Sequence, residues 1–363
     1  MSMRKHLAIT LCAFVLCAAG QAWAQDIQYV IEISVDGLGG TYLKKIFDGT
    51  ATGGPYAIPN FTRLKNEGAS TLAAHCDNDN WETLPNHVSI LTGRPRNTSP
   101  GFDGHNWTGN GDPGVGQTLH TNKPPYVASV FDVAHDGGLK TGMYANKSKF
   151  SLFSTYGSYT GGGSYNTKID NPYISTALGG IVVDTFITQQ KSGTPNRYAF
   201  LHINEPDANG HGSGWGSATW NQSVVTVDGM LGKIFQMIQE VPAMTGKTAI
   251  ILTADHGYQG APGPDTYQVP FFVWGPGVTA GADLYALNNG QNGAATRQVA
   301  ATYPMTTYAG DQPIRNAEAS NLALKLLKLG AIPGSTFNFS QTLAVPEPAT
   351  ILSLFLAVPL LLK

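Results

Sequence analysis

Lys247-Thr248-Ala249-Ile250-Ile251-Leu252-Thr253-Ala254-Asp255-His256-Gly257 is a short apolar run that stops abruptly at a carboxylate, an imidazole and a glycine. Its length, its β-branched residues and its lack of helical spacing mark 247–253 as a buried strand. Four more runs of the same kind, bounded by Gly, Asp or Pro, are Tyr29–Val35, Lys140–Ala145, Arg197–Ile203 and Val269–Trp274. Helix-like segments lie between them. In Trp220–Ile238, residues Val224, Val227, Leu231, Ile234, Phe235 and Ile238 fall on one face, and Tyr126–His135 and Ala317–Leu329 are two further helix candidates. Strands that alternate with helices predict an α/β layered domain with a mostly parallel central sheet flanked by helices. Ligands of such sheets bind beyond the carboxyl ends of the strands, so the residues that matter are those that follow each run.

Stretches rich in Gly, Asn, Ser and Thr at 94–125, 151–172 and 276–310 read as long surface loops, because α/β elements resume after each. No internal repeat is visible, and residues 25–344 are expected to form one domain. Charged residues make up 13% of the chain, and 22 Lys and Arg face 24 Asp and Glu. That balance gives no basic surface for nucleic acid.

Four segments carry candidate chemistry. Asp36-Gly37 ends the first run, and Asp255-His256-Gly257 ends the 247–253 run. A carboxylate and an imidazole side by side at a strand end suit a divalent metal, and zinc takes mixed oxygen and nitrogen ligands. Asn204-Glu205-Pro206-Asp207-Ala208-Asn209-Gly210-His211 follows the 197–203 run, and one helical turn brings Asp207 and His211 onto the same face. Glu82-Thr83-Leu84-Pro85-Asn86-His87 opens a helix with Pro in its first turn. Thr83 there is either an N-cap or a group set beside an anion at the helix start.

Taken in order, Asp36-Gly37, T-x-P-N-H at 83–87, E-P-D-x-x-G-H at 205–211 and A-D-H-G at 254–257 resemble the alkaline phosphatase superfamily, in its type I phosphodiesterase/nucleotide pyrophosphatase branch. The run Val269–Gly277 is similar to the strand that follows the last metal segment of that superfamily. The resemblance implies an alkaline-phosphatase-like fold and a metal-dependent hydrolase of phosphate esters that works through a phospho-threonine intermediate on two zinc ions. It implies Thr83 as nucleophile, one zinc on Asp36, Asp255, His256 and the Thr83 oxygen, and the other on Asp207, His211 and a third protein ligand. It also implies Asn106 as hydrogen-bond donor to a phosphoryl oxygen. The third ligand in this branch is a His beyond the D-H-G segment, yet none of the nine histidines here lies after His256. Gln259, Asp265 and Tyr267 are the nearby polar substitutes; Asp265 is the best chemical replacement and Asp311 a remote one.

A sulfatase needs Cys or Ser where Thr83 stands and Arg where His87 stands, so that reading is set aside. A phosphomonoesterase, and a non-catalytic relative displayed on the cell envelope, are the two alternatives. Gly246-Lys247-Thr248 is no P-loop, since Val241 occupies the first Gly position and a strand follows. No G-x-S-x-G elbow exists. Lys147 and Lys149 read as solvated loop lysines, with contact to a substrate anion as the alternative; Arg315 reads as an anchor for the last helix rather than a substrate contact, and His87 and His105 as supporting or structural residues near the site.

Both ends read as addresses. Arg4 and Lys5, an apolar run over 7–19 and Ala22-Trp23-Ala24 form a secretory signal peptide over 1–24, with cleavage expected before Gln25. Val345-Pro346-Glu347-Pro348, an apolar stretch over 349–362 and Lys363 resemble a PEP-CTERM sorting signal over 345–363. That resemblance implies an exosortase-type partner and export across the inner membrane of a Gram-negative bacterium, to the periplasm, the envelope or the medium. Cys12 and Cys17 leave with the signal, so Cys76 has no internal disulfide partner.

Overall fold

The computed structural model describes residues 26–337, apart from 79, 125, 155–166, 291–295 and 309. The signal segment 1–24 and the tail 345–363 lie outside the described residues.

Eight strands form one sheet: β1 Tyr29–Val35, β2 Ala69–His75, β3 Thr141–Ala145, β4 Asn171–Ile174, β5 Tyr198–Ile203, β6 Thr248–Thr253, β7 Gln268–Trp274 and β8 Ala282–Asp283, in the order β4-β3-β5-β1-β6-β7-β2-β8. All neighbours are parallel except β7, which runs against both β6 and β2. This is the expected α/β architecture with a mostly parallel sheet. Every residue of β1, β3, β5 and β6 is buried, the signature of strands covered by helices on both faces.

The five expected strands start within one residue of the observed ones, and all end where expected. The expected helix Trp220–Ile238 lies inside Ala218–Glu240, and its six apolar positions are buried. The other two begin later than their patterns suggested, at Val130–Asp136 and, after a 3-10 turn at Asn316–Glu318, at Ala319–Leu326. Strands β2, β4 and β8 were not expected. Ala-Ser-Thr-Leu-Ala-Ala-His of β2 is half-buried and poor in large apolar groups, β4 carries Pro172 at the sheet edge, and β8 is two residues long. The stretches read as loops also hold short helices at Leu119–Asn122, Ser151–Ser154 and Leu284–Leu287. Among the described residues no helix is long and apolar enough to cross a membrane.

Register decides where the chemistry falls. Val35 pairs with Ile203 and Ser34 with Thr253, so β1, β5 and β6 end side by side. The backbone of Asp36 continues that edge, its N–H donating to Ile203 O at 2.9 Å. Because β7 is reversed, its first residue lies at the same edge. So does the last residue of β2, since His75 pairs with Gln268. The connections after β1, β2, β5 and β6 therefore meet above one edge of the sheet.

Candidate active site

Gly37 explains how two of these connections come so close. Its φ is +68°, and a Cβ there would sit 2.8 Å from Asp207 Cα. A side chain would thus be strained by the backbone angle and would strike the helix Glu205–Ser213. Gly257 does the same on the other side, where a Cβ would meet Asp265 O at 2.2 Å.

Asp36, Asp255 and His256 are fully buried, and their ligand atoms lie within 4.8 Å of one another. Asp36 Oδ1 and Asp255 Oδ2 have no hydrogen-bond partner. His256 Nε2 stands 3.4 Å from the first and 3.3 Å from the second. Metal–ligand bonds of the zinc kind, close to 2 Å, make the edge of a tetrahedron about 3.3 Å. His256 Nδ1 donates to Gly257 O at 2.9 Å, which leaves Nε2 as the lone-pair nitrogen. Two orphaned carboxylate oxygens and one imidazole lone pair at this spacing fit a divalent ion. The Gln259 amide, 2.9 Å from Nε2, meets the same nitrogen.

Asp36 and Asp255 face opposite electrostatic fates. Burial pushes the Asp36 carboxyl up, but the Lys147 charge, with His202 and His256, outweighs it and holds the group well below the usual range. Burial raises Asp255 well above that range, and the negative charge of Asp36 pushes it further. Asp255 Oδ1 accepts from the N–H groups of Gly37 at 3.1 Å and His256 at 2.9 Å.

Thr83 is the first residue of the helix Thr83–Thr92 and is 2% exposed. Glu82, not Thr83, is the N-cap residue, and no side chain caps it in the usual way. Instead Asn110 Oδ1 accepts from Leu84 N at 3.0 Å. Pro85 has no N–H, and Asn86 N donates to Glu82 O. The N–H of Thr83 is thus the donor of the first turn that remains for an anion. Asn86 ties the approach to the helix together: it accepts from Asp77 N and donates to Asn80 O and Glu82 O. Burial keeps His87 neutral, so its Nδ1 donates to Thr83 O at 2.7 Å and its Nε2 accepts from Ser34 Oγ at 2.8 Å. His105 bonds Ser89 Oγ and accepts from Trp107 N. Both histidines hold scaffold.

Lys147 corrects the sequence reading. It does not sit in solvent but in the middle of the site. Its Nζ donates to Asp36 Oδ2 at 2.6 Å and Asp207 Oδ2 at 2.8 Å, and lies 3.3 Å from Thr83 Oγ1. It follows β3 by two residues, so the strand-end rule that picked out Asp36 would have found it. Lys149 is tied too, donating to Asn110 Oδ1 at 3.0 Å. His202 was missed altogether because it lies inside the apolar β5 run. It is buried, and its Nε2 meets Asp36 Oδ2 at 2.9 Å while Nδ1 meets Asn146 Oδ1 at 2.9 Å. Burial lowers its pKa, and a neutral ring has one N–H to donate between these two oxygens.

The remaining expected residues divide. Asp207 is brought to Lys147, with Oδ1 unpartnered, 3.4 Å from His211 Nε2 and 3.9 Å from His256 Nε2. The His211 side chain is 55% exposed and packs edge-on against Trp215. Asp265 does not join this pair; its Oδ2 accepts from Tyr42 at 3.3 Å. Asp311 is exposed and takes Gln298, and Tyr267 is buried against His75. Among the described residues, no third His, Cys, Asp or Glu completes a metal group with Asp207 and His211. Asn106, with φ +57°, has its side-chain oxygen on Thr98 N and Oγ1, while Asn110 is the asparagine at the helix start. Arg315 anchors the residues after β2 as much as the last helix, donating to Cys76 O, Asn78 and Gln312.

The family model for type I phosphodiesterase / nucleotide pyrophosphatase matches residues 30–271. Among curated proteins, GPI ethanolamine phosphate transferase 1 of Mus musculus is 33% identical over 84 residues, a segment that makes up 22% of this chain and only 9% of that one. Among solved structures, murine ectonucleotide pyrophosphatase / phosphodiesterase 5, an inactive form in complex with AMP, matches with a TM-score of 0.58 at 14% identity over 84% of this chain and 96% of that one. A protein in the alkaline phosphatase superfamily from Vibrio parahaemolyticus matches with a TM-score of 0.54 at 13% identity, over 86% and 69% of the two chains. At such identities these likenesses speak for a shared fold, which is alkaline-phosphatase-like.

Proposed function

The chain belongs to the type I phosphodiesterase / nucleotide pyrophosphatase family of hydrolases, and we propose that it cleaves a small phosphodiester or nucleotide pyrophosphate through a phospho-threonine at Thr83. The observation that carries this is the Thr83 hydroxyl, buried at a helix start and 3.3 Å from the Lys147 ammonium that bridges Asp36 and Asp207. A threonine used only as a cap needs neither the cation nor the two carboxylates it bridges.

A divalent ion on Asp36, Asp255 and His256 would lower the pKa of a neighbouring hydroxyl and offset phosphoryl charge. Zinc suits that donor set. Among the described residues Asp207 and His211 have no third ligand, so the described residues fit one ion and not two.

Thr83 Oγ attacks phosphorus, the bond to the leaving oxygen breaks, and the threonine proton leaves on the departing alcohol or phosphate. Water then attacks the phospho-threonine from the vacated side, restoring the hydroxyl and releasing the phosphate product. Lys147 holds the nucleophilic oxygen next to a positive charge in both steps, and the Thr83 N–H with the Asn110 amide supplies donors for the equatorial oxygens. Asp255 Oδ1 fixes Gly37 and His256, and His87 holds the Thr83 carbonyl, so the attacking group is set before substrate arrives.

Thr83→Ala is expected to abolish turnover and leave metal content unchanged. Undiminished hydrolysis by this variant would remove the assignment. A preference for bis(p-nitrophenyl) phosphate over p-nitrophenyl phosphate identifies the diesterase, and the reverse preference the monoesterase. No hydrolysis of either, with metal bound, would favour a binding protein of the envelope.

The residues at 1–24 and 345–363 support a proposed route: export, removal of the signal and exosortase-type handling of the tail. An intact mass of the cell-associated protein that still includes residues 1–24 would overturn the first step.

A further inference from the structure

We infer that the Lys147 ammonium occupies the place of a second cation, so that this protein works with one divalent ion and one built-in organic cation. The inference rests on the hydrolase reading above, and three observations carry it.

The first is the division of the carboxylate oxygens. Asp36 turns Oδ1, unpartnered, toward His256, and Oδ2 toward Lys147 and His202. Its two oxygens thus face two different cation positions. The second position is bounded by Asp36 Oδ2, Asp207 Oδ2 and Thr83 Oγ1, at 2.6, 2.8 and 3.3 Å from Lys147 Nζ. An ammonium has three N–H donors, and three oxygens surround this one.

The second observation is the ligand count. Apart from the Asp36 and His256 groups of the first site, Asp207 has one candidate partner for an ion among the described residues, His211, whose side chain is 55% exposed, and no third joins the pair. A zinc site usually needs three protein ligands and a fourth position for water or substrate. This pair falls short, at the point where the sequence has no histidine after His256.

The third is charge. Asp36, Asp207 and Asp255 bring three carboxylates to the buried edge, and Lys147 cancels one. A single divalent ion cancels the other two. A second divalent ion would have to enter beside a lysine whose position is set by β3 and by Asn146, itself tied to His202. That step places like charges together in a low-dielectric site.

The test is metal stoichiometry on the full chain, stripped with chelator, dialysed against zinc and counted by mass spectrometry of the element. One tightly held zinc per chain is expected for the wild type and for His211→Ala alike. Lys147→Met, which keeps the stem and removes the charge, is expected to keep one zinc and the native far-ultraviolet circular dichroism spectrum, with a lower thermal midpoint, while hydrolysis falls about 100-fold. Two tight zinc ions in the wild type, one of them lost in His211→Ala, would overturn the inference. So would undiminished hydrolysis by folded Lys147→Met. One zinc without hydrolysis of any phosphate ester would support the cation assignment and remove the function proposed above; two zinc ions with diester hydrolysis would do the reverse.

Discussion

Two asparagines separate what spacing can say from what a chain does in space. Asn106 fits the motif distance from Thr83, and its side-chain oxygen accepts from Thr98 N and Oγ1 within its own loop. Asn110 reaches the helix start, where its oxygen accepts from Leu84 N and from Lys149 Nζ. With that oxygen engaged, its amide N–H groups are the side-chain donors available there to a phosphoryl oxygen. Asn110→Ala is therefore expected to lower kcat by about 100-fold, the typical loss for one donor to a developing oxyanion. Asn106→Ala is expected to cost less than 10-fold, through loosening of its loop. Steady-state kinetics on both variants checks this, and a larger loss at Asn106 would return the role to it. Lys147 and His202 teach the complementary lesson. Lys147 was legible in principle, since it follows a strand end, but a lone lysine in a polar loop carries no pattern. His202 is one polar residue inside an apolar run, and what it does depends on Asp36 lying across β1 and β5, a contact that only the register shows.

Elements carry a further buried carboxylate that has no place in the proposed chemistry. Glu32 lies in the middle of β1, pairs in register with Phe200 and Ile251, and accepts from Tyr198 at 2.9 Å and Ser320 at 3.0 and 3.1 Å. It thereby joins the strand to β5 and to the helix Ala319–Leu326. Burial raises its pKa to about 8, against which the two hydrogen bonds act only in part. The folded protein thus keeps the proton to higher pH than the unfolded chain does. The stabilisation is fully present below the unfolded value, near pH 4.5, and is lost as pH rises toward 8, at about 1.4 kcal/mol per pH unit. Glu32→Gln keeps a neutral hydrogen-bonding group there and removes the titration. Its urea-unfolding free energy is expected to fall less than that of the wild type between pH 5 and pH 8; parallel curves would show that Glu32 does not titrate in this window. The strand itself was legible in the sequence because its other residues are apolar and its length is right. Strands β2, β4 and β8 were not, because pairing with neighbours, not composition, makes them strands.

At the scale of the molecule, the sheet and the site have separate sources of stability. The sheet draws on strands buried on both faces and on helices such as Ala218–Glu240, all of which were legible as apolar runs and periodic faces. The site draws on connections from five strands, β3 with its Lys147 among them, whose shared edge was expected from the α/β pattern, although the reversed β7 that closes it was not. Without a metal, three carboxylates crowd that edge with one lysine. An ion that links Asp36 after β1 to Asp255 and His256 after β6 binds the folded state and not the unfolded chain, so it must raise the thermal midpoint. At a free zinc concentration 100 times the dissociation constant the gain is about 3 kcal/mol, and for a domain of this size that is a shift of roughly 5 °C. Removing the ion should lower the midpoint by that amount and leave the far-ultraviolet circular dichroism spectrum unchanged, because the core does not pass through the site. Asp255→Asn, which takes away one ligand charge, should have a lower zinc response in the same melting experiment. A wild-type midpoint indifferent to zinc and chelator would mean that these three side chains hold no ion. A lost spectrum on chelation would mean that the ion supports the fold itself and not the edge alone.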